Sequence, residues 1–170
     1  MTKFIINDEL YKEAIEPIAQ ANNFVWIATA DIKDMHVRQG SSVVSFLAVL
    51  NSLIKKNVAI RILHAKEPGP NFRKSFDKYP RLWESIEMQL CPRVHFKQIV
   101  IDGELAYSGS ANLTSAGLGM KSKDKRNFES GIVTTDPAFI DSIMKQFDEV
   151  WMGGFCKDCK RKEFCPDPIL

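Results

Sequence analysis

Apolar and polar residues alternate along the chain in blocks that predict strands and helices in turn. Residues 24–30 and 58–63 are largely continuous apolar runs, the pattern of strands that are buried on both faces. Between them, an apolar segment that starts at Ser41 or Ser42 and ends at Ile54 predicts a helix. A strand, a helix and a second strand in this order indicate a parallel βαβ unit.

Further elements are predicted on both sides of this unit. Residues 8–21 predict a helix capped by Asn7, with a break or two short helices at Pro17. The remaining predicted elements are a helix over 72–87, strands near 93–102, 105–110 and 127–134, and a last helix from Asp136 to about Trp151. The predicted fold class is α/β, with a mixed β-sheet flanked by helices.

The last three predicted strands each carry two polar residues at positions i and i+2. The three pairs are His95 with Lys97, Ser110 with Asn112, and Asn127 with Glu129. Because side chains alternate between the faces of a strand, both members of a pair lie on one face. Burying so many polar groups costs free energy unless they bond to one another or serve chemistry, so the pattern predicts an active site.

The spacing of these residues resembles the HKD signature of the phospholipase D superfamily. The matching positions are His95, Lys97, Asp102, Gly109, Ser110 and Asn112, with Glu129 downstream. The order of predicted elements also fits through Trp151, so the resemblance implies a phospholipase D-like fold and a phosphodiesterase. Asp102 has two interpretations, because it lies just before Gly103: it is a catalytic residue, or it caps the turn between two strands.

The residue types suit the cleavage of a phosphodiester bond. The imidazole of His95 can attack phosphorus and form a covalent phosphohistidine, while Lys97 stabilises negative charge on the nonbridging oxygens. Ser110 and Asn112 can donate hydrogen bonds to the same oxygens. Glu129 can accept from the second ring nitrogen of His95 and fix its tautomer. This mechanism requires no catalytic metal.

The chain carries one copy of the signature, whereas the superfamily resemblance implies a site with two histidines. Neither His36 nor His64 lies in a second copy. Two-fold symmetry would supply the missing half, so we predict a homodimer with a composite active site. Single-motif relatives imply a nuclease that acts on DNA or RNA. The alternatives are a phospholipase or phosphatidyl transferase with the same site, and a non-catalytic nucleic-acid-binding module.

A basic segment lies between Asn112 and Glu129, beside the predicted site. Its cations are Lys121, Lys123, Lys125 and Arg126. Such a segment can follow a phosphate backbone and bind the substrate. The alternative is a solvated basic turn without a ligand.

Three cysteines in the tail have the spacing Cys156-x2-Cys159-x5-Cys165, and the fourth is Cys91. Four thiolates with a Cys-x2-Cys turn predict a structural zinc site, with a 4Fe-4S cluster as the alternative. Reduced thiols in a disordered tail, or disulfides, are the remaining interpretations. The predicted organisation is a phospholipase D-like domain over 1–152 and a small cysteine-rich C-terminal tail over 153–170, packed on the domain.

Composition and charge narrow the class of protein. A chain of 170 residues is long enough for one domain with its own core. The net charge of +2 is small, so a nucleic-acid-binding surface would have to be local. No apolar run approaches the length of a membrane span, and the N-terminus lacks the pattern of a signal peptide, which predicts a cytoplasmic protein.

Overall fold

A seven-stranded mixed sheet forms the centre of the protein in this computed structural model, which describes residues 1–39, 41–117, 124–166 and 168–169. Its strands are β1 (Thr2–Ile6), β2 (Phe24–Thr29), β5 (Ala59–His64), β6 (Ile86–Leu90), β7 (Lys97–Ile101), β8 (Leu105–Gly109) and β9 (Ser130–Thr134). A separate hairpin consists of β3 (His36–Gln39) and β4 (Ser42–Ser45).

The sheet has the strand order β1-β9-β8-β7-β2-β5-β6. β2, β5 and β6 run parallel, whereas β7 is antiparallel to β2, and β8, β9 and β1 continue the antiparallel half. The predicted α/β class, mixed sheet and parallel βαβ unit are therefore confirmed.

Four α-helices flank the sheet: α1 (Phe46–Ile54), α2 (Pro70–Phe76), α3 (Pro80–Ser85) and α4 (Pro137–Trp151). α4 begins where the sequence predicts, because the side chain of Asp136 accepts hydrogen bonds from the backbone N–H groups of Ala138 and Phe139 at 2.9 and 3.1 Å. The N-terminal helix is interrupted as predicted: a π-helical turn (Tyr11–Ile15) gives way to a 3-10 helix (Glu16–Gln20) that contains Pro17. No α-helix in the described ranges is long and apolar enough to cross a membrane.

Two predicted helix boundaries are wrong, and one strand was not predicted. The predicted helix over 72–87 is two short helices and a strand, because Pro80 has no N–H to continue α2 and starts α3 instead. The helix predicted from Ser41 or Ser42 begins later, after β4, where the Ser45 hydroxyl accepts from Leu47 N at 3.2 Å. β1 was not predicted, since three of its first four residues are exposed and its apolar signal is weak.

The hydrophobic core lies on both faces of the sheet. On one face, α1 and the N-terminal helical segment pack Leu50 and Ile18 against Ile27 and Ile62. On the other face, α4 packs Ile140 and Ile143 against Val100 and Ala106. Because apolar side chains fill both layers, polar chemistry is left to the ends of the strands.

Candidate active site

Four neighbouring strands each have an end along the same border of the sheet, which runs across the strand direction. This border is called the edge that carries the site. β2 and β8 end there, and β7 and β9 begin there, since the register pairs Ala28 with Gln98, Lys97 with Gly109, and Gly109 with Gly131. The predicted residues His95, Lys97, Ser110, Asn112 and Glu129 lie in or beside these strand ends. The fold therefore brings five of the six predicted catalytic residues to one edge.

His95 and Lys97 form the centre of this edge. The Lys97 ammonium donates a hydrogen bond to the His95 carbonyl oxygen at 2.5 Å, and its Nζ lies 3.4 and 3.5 Å from Nδ1 and Nε2 of the imidazole. Lys97 is 7% exposed, while His95 is exposed to solvent. Burial lowers the pKa of Lys97, and the negative charge of Glu129 opposes that shift.

The side-chain amide of Asn112 uses its oxygen, Oδ1, to bind the backbone. Its Oδ1 accepts hydrogen bonds from the backbone N–H groups of Ala30 and Asp31, each at 3.2 Å. Because both partners are donors, they fix the orientation of the amide and turn Nδ2 away from them. Among the described residues, Nδ2 makes no hydrogen bond, so it is available to an acceptor on a substrate.

Thr29 helps to fix the loop that carries Asn112. The sequence analysis missed this residue. Its side chain is fully buried, its hydroxyl donates to Asp31 O at 2.7 Å, and it accepts from Leu113 N at 3.0 Å. These bonds join the loop after β2 to the loop that carries Asn112. A single threonine near the end of an apolar run was the available sequence signal.

The Glu129 carboxylate accepts hydrogen bonds from Ser110 and Asn127, whereas the sequence predicted His95 as its partner. Ser110 Oγ donates a short hydrogen bond to Glu129 Oε2, and Asn127 Nδ2 donates to Glu129 Oε1 at 3.1 Å. Within the described residues no hydrogen bond joins Glu129 to the ring of His95. The carboxylate therefore acts here on Ser110 by direct contact and on Lys97 through its charge.

Asn7 holds the backbone of Glu129 in place, which the sequence analysis also missed. Its N–H donates to Glu129 O at 2.9 Å, and its Oδ1 accepts from Glu129 N at 3.2 Å. Asn7 adopts a left-handed backbone with φ of 50°, a conformation that asparagine tolerates. The prediction that its side chain caps the first helix is wrong, because that side chain is used by Glu129 instead.

Tyr107 fills the space beneath the start of β9. Its hydroxyl accepts from Ala111 N at 3.3 Å, and burial, reinforced by the charge of Glu129, raises its pKa to about 12. A Cβ on Gly131 would overlap the Tyr107 ring and lie 2.9 Å from Ser108 O. Glycine at this position therefore allows β9 to approach β8 closely.

Asp102 lies at the opposite end of β7, roughly 15 Å from the site at the usual rise per residue of a strand. Its carboxylate accepts hydrogen bonds from the backbone N–H groups of Asn22, Asn23 and Phe24 at 2.7–2.8 Å. Burial by itself would raise the pKa of Asp102. The hydrogen bonds from the three donors lower the pKa by more than burial raises it, so the pKa lies below its ordinary value. This geometry favours a structural role over the catalytic one, although the carboxylate caps backbone N–H groups at the start of β2 and not the turn between β7 and β8 that the sequence offered.

The structure tests little of the predicted basic segment. Lys121 and Lys123 lie outside the described residues. Lys125 is exposed, and Arg126 forms an ion pair with Asp8 at 3.3 Å, with 17% of its side chain exposed.

A cavity of about 850 Å³ adjoins the site and contains a second set of lysines. It lies between residues 31–34, after β2, and residues 66–78, and its lining includes Lys33, Lys66, Lys74 and Lys78. Lys33 is paired with Asp31 at 3.3 Å, while the other three have no ion-pair partner in the described part of the chain. Segment 31–33 also bonds to the Asn112 loop, since Lys33 N donates to Leu113 O at 3.1 Å. Asp31, Asp34 and Glu67 also line the cavity, so its lysines outnumber its carboxylates by four to three, and this lining was not predicted.

The four cysteines are all half-buried free thiols. Cys91, Cys156 and Cys159 line a cavity of about 140 Å³, and Arg93 Nη1 donates to Cys159 Sγ at 3.7 Å. Burial raises the pKa of Cys91, and the nearby Cys165 and Cys156 raise it further. Among the described residues, no three His, Cys, Asp or Glu side chains are grouped closely enough to hold a metal ion.

Comparisons with known proteins identify the family and the fold. The family described as "Cardiolipin synthase, PLD-like domain" matches residues 14–151. No protein with a curated description matches the sequence significantly.

Three solved structures show the extent of the structural similarity. The phospholipase D family member Nuc from Salmonella typhimurium superposes with a TM-score of 0.65 at 14% identity, covering 89% of this chain and 95% of Nuc. NucT from Helicobacter pylori gives 0.63 at 15% identity, covering 88% and 94%. The archaeal chromatin protein TrmBL2, whose structure shows a mode of DNA binding, gives 0.62 at 14% identity, covering 88% and 51%. At these identities the similarity concerns the fold.

Proposed function

We propose that this chain, which belongs to the phospholipase D-like domain family, is a phosphodiesterase, specifically a nuclease that cleaves DNA or RNA through a covalent phosphohistidine on His95. One observation carries the proposal: an exposed imidazole lies against the buried ammonium of Lys97. A nucleophile with a fixed positive charge beside it in space is what attack on a phosphodiester requires.

In the first step, a ring nitrogen of His95 attacks phosphorus and forms a P–N bond. The bond from phosphorus to the leaving oxygen breaks, and that oxygen takes a proton from a second imidazole. One chain contains one such histidine, so the proton donor is His95 of the partner subunit in a homodimer. In the second step, water gives a proton to that imidazole and attacks phosphorus, the P–N bond breaks, and His95 is regenerated.

The neighbouring groups stabilise the charge that develops on the nonbridging oxygens. Lys97 is nearly excluded from water, so its charge is poorly screened and acts strongly at short range. Asn112 offers its unoccupied Nδ2 as a neutral donor, because Ala30 and Asp31 hold its other end. Ser110 is bound to Glu129, which positions the hydroxyl for exchange with a substrate oxygen.

Two surface features support a nucleic-acid substrate. The cavity lined by Lys66, Lys74 and Lys78 begins beside the Asn112 loop and can bind successive phosphates of a polyanion. Phe128, adjacent to Glu129, has 94% of its side chain exposed and offers an aromatic face for a base.

The activity itself gives the first prediction. Purified protein should cleave single-stranded DNA or RNA, and a small phosphodiester, in excess EDTA, because the mechanism uses no metal at phosphorus. His95→Asn keeps a similar volume but removes the nucleophile, and should lower the cleavage rate by at least about a thousandfold. The measurement is the initial rate on each substrate, with a folding check by circular dichroism.

Matched substrates separate the alternatives. His36→Asn is the control, since His36 is an exposed histidine on β3 outside the site. Cleavage of phospholipid vesicles without cleavage of nucleic acid would replace the nuclease with a phospholipase or phosphatidyl transferase. Tight nucleic-acid binding without turnover of any substrate, unchanged in His95→Asn, would identify a binding module and refute the proposal.

A further inference from the structure

We propose that Cys91, Cys156, Cys159 and Cys165 bind a metal centre that fastens the C-terminal tail to the loop between β6 and β7. The centre is structural and independent of the nuclease proposal. Its four ligands are all the cysteines of the chain.

Cys91 provides a fixed point for the site. It directly follows β6, and its N–H donates to His64 O at 2.8 Å, at the end of the neighbouring strand β5. His95 is four residues further along the chain. A ligand at Cys91 would therefore restrain the loop that leads into the catalytic edge of the sheet.

The tail folds back to present its thiols to this loop. Cys156 N donates to Gly153 O at 2.8 Å and Cys159 N donates to Cys156 O at 3.2 Å, which forms the turn that a Cys-x2-Cys chelate requires. The guanidinium of Arg93 stacks on Phe155 at 5.9 Å from the ring centroid and also reaches Cys159. The contacts therefore hold two tail cysteines against the Cys91 loop.

The four thiols line two cavities beside Cys91 and Pro92. One cavity of about 140 Å³ is lined by Cys91, Cys156 and Cys159. Cys165 lines a second cavity together with Pro92. Half-buried thiols from the Cys91 loop and from the distant tail therefore converge, which packing alone does not require.

The surroundings suit a negatively charged thiolate centre. The apolar side chains of Val94, Phe96, Val150 and Phe155 line the first cavity together with the cation of Arg93. Four thiolates around a divalent zinc or a four-iron cluster carry net negative charge. The nearby basic residues that can offset it are Arg93, Lys157, Lys160, Arg161 and Lys162.

The spacing of the thiols favours a 4Fe-4S cluster over a single zinc ion. Zinc binds sulfur at about 2.3 Å, which requires its four sulfur atoms to lie within roughly 4 Å of one another. Among the described residues no three thiols are grouped closely enough for one ion, although Cys91, Cys156 and Cys159 line one cavity. A cluster with four iron and four sulfide ions is also held by four cysteines, and it keeps their sulfur atoms farther apart than one zinc ion does.

Metal analysis of the full-length protein tests the proposal. Protein purified without oxygen should be brown, absorb near 400 nm, and contain about four iron and four sulfide ions per chain. Cys156→Ser with Cys159→Ser should lose the metal and lower the thermal midpoint. The matched control is Asp158→Ser, an exposed change in the same turn, which should keep both.

Three other outcomes would overturn either the cluster or the whole metal centre. One zinc per chain in colourless protein would retain the four-thiolate centre and overturn the cluster. Metal-free protein with four titratable thiols, whose thermal midpoint is unchanged by the double substitution, would overturn the centre. Two disulfides under anaerobic purification would overturn it as well. Metal content of the unsubstituted protein gives the answer even where the cysteine variants fail to fold.

Discussion

Asp102 and Asn112 belong to one sequence signature, yet the fold uses them at opposite ends of the β7–β8 pair. Asn112 lies at the edge that carries His95, with Nδ2 unbonded among the described residues, whereas Asp102 accepts three backbone hydrogen bonds at the far turn. The sequence predicted a role for both residues. Those roles depend on partners that are 78 or more residues away along the chain, so spacing alone left the two interpretations of Asp102 open.

Asp102→Ala should destabilise the protein without removing its chemistry. Three backbone N–H groups would lose a charged acceptor, and the left-handed φ of 55° suits alanine poorly. We expect a loss of about 1–3 kcal/mol in the free energy of unfolding. At temperatures where the variant is folded, kcat should stay within a few-fold of wild type. Urea denaturation and single-substrate kinetics measure the two quantities.

The pH dependence of that loss identifies the carboxylate as its source. The pKa of Asp102 is below its ordinary value in the folded protein, so its contribution is complete above that ordinary value and disappears as pH falls through the folded pKa. Asp102→Asn is the matched control, because it keeps one oxygen acceptor and tolerates positive φ. A large fall in kcat with unchanged stability would contradict the capping role.

At the scale of elements, the apolar central strands were predicted well, whereas the two outer strands of the sheet were not. β2 and β5 are central and buried, so their apolar runs predict them directly. β1 and β6 lie at the edges of the sheet, where alternating exposure weakens the same signal. β6 also directly follows a helix, and the sequence does not separate the two without knowledge of the neighbouring β5.

α2 provides a prediction about substrate binding. Lys74 lies on α2 and Lys78 just after it, and both line the large cavity without an acidic partner in the described ranges. Lys74→Ala with Lys78→Ala should weaken binding of single-stranded DNA by about tenfold. It should also reduce the salt dependence of log Kd by roughly 1.4, since each phosphate contact contributes about 0.7. Fluorescence anisotropy in the His95→Asn background measures binding without cleavage.

A charge-matched control distinguishes this effect from a general loss of positive charge. Lys55 and Lys56 are exposed and lie between α1 and β5, at the end of the sheet opposite the site. Lys55→Ala with Lys56→Ala should leave the salt dependence unchanged. Equal effects of the two double variants would show that the cavity has no special role in binding.

At the scale of the whole molecule, the proposed mechanism needs two histidines, and one chain has a single copy of the signature, at His95. Among its three histidines, His64 is 5% exposed and bonded through Nδ1 to Lys66 O at 2.9 Å, and His36 lies on the separate β3–β4 hairpin. Neither lies beside Lys97 within hydrogen-bond distance. A second copy of the chain is the economical source of the proton donor, which is why the proposed enzyme is a homodimer.

Mixed dimers test the composite site directly. Equal amounts of wild-type and His95→Asn subunits, exchanged by unfolding and refolding together, should retain about a quarter of the wild-type activity, because only dimers with two histidines work. Independent sites would instead retain about half. Light scattering on the same samples should give twice the mass of one chain, and a monomer with full activity would refute the dimer.

The sequence by itself determined the α/β class, the parallel βαβ unit, the break at Pro17, the family resemblance and five residues that the fold gathers at one edge. Those features depend on local periodicity and on offsets within one short segment, which a linear sequence records. Only the tertiary structure decided that Glu129 binds Ser110, that Thr29 and Asn7 support the site, and that a lysine-lined cavity adjoins it. These contacts join residues from distant parts of the chain, and their identity follows from strand register and packing.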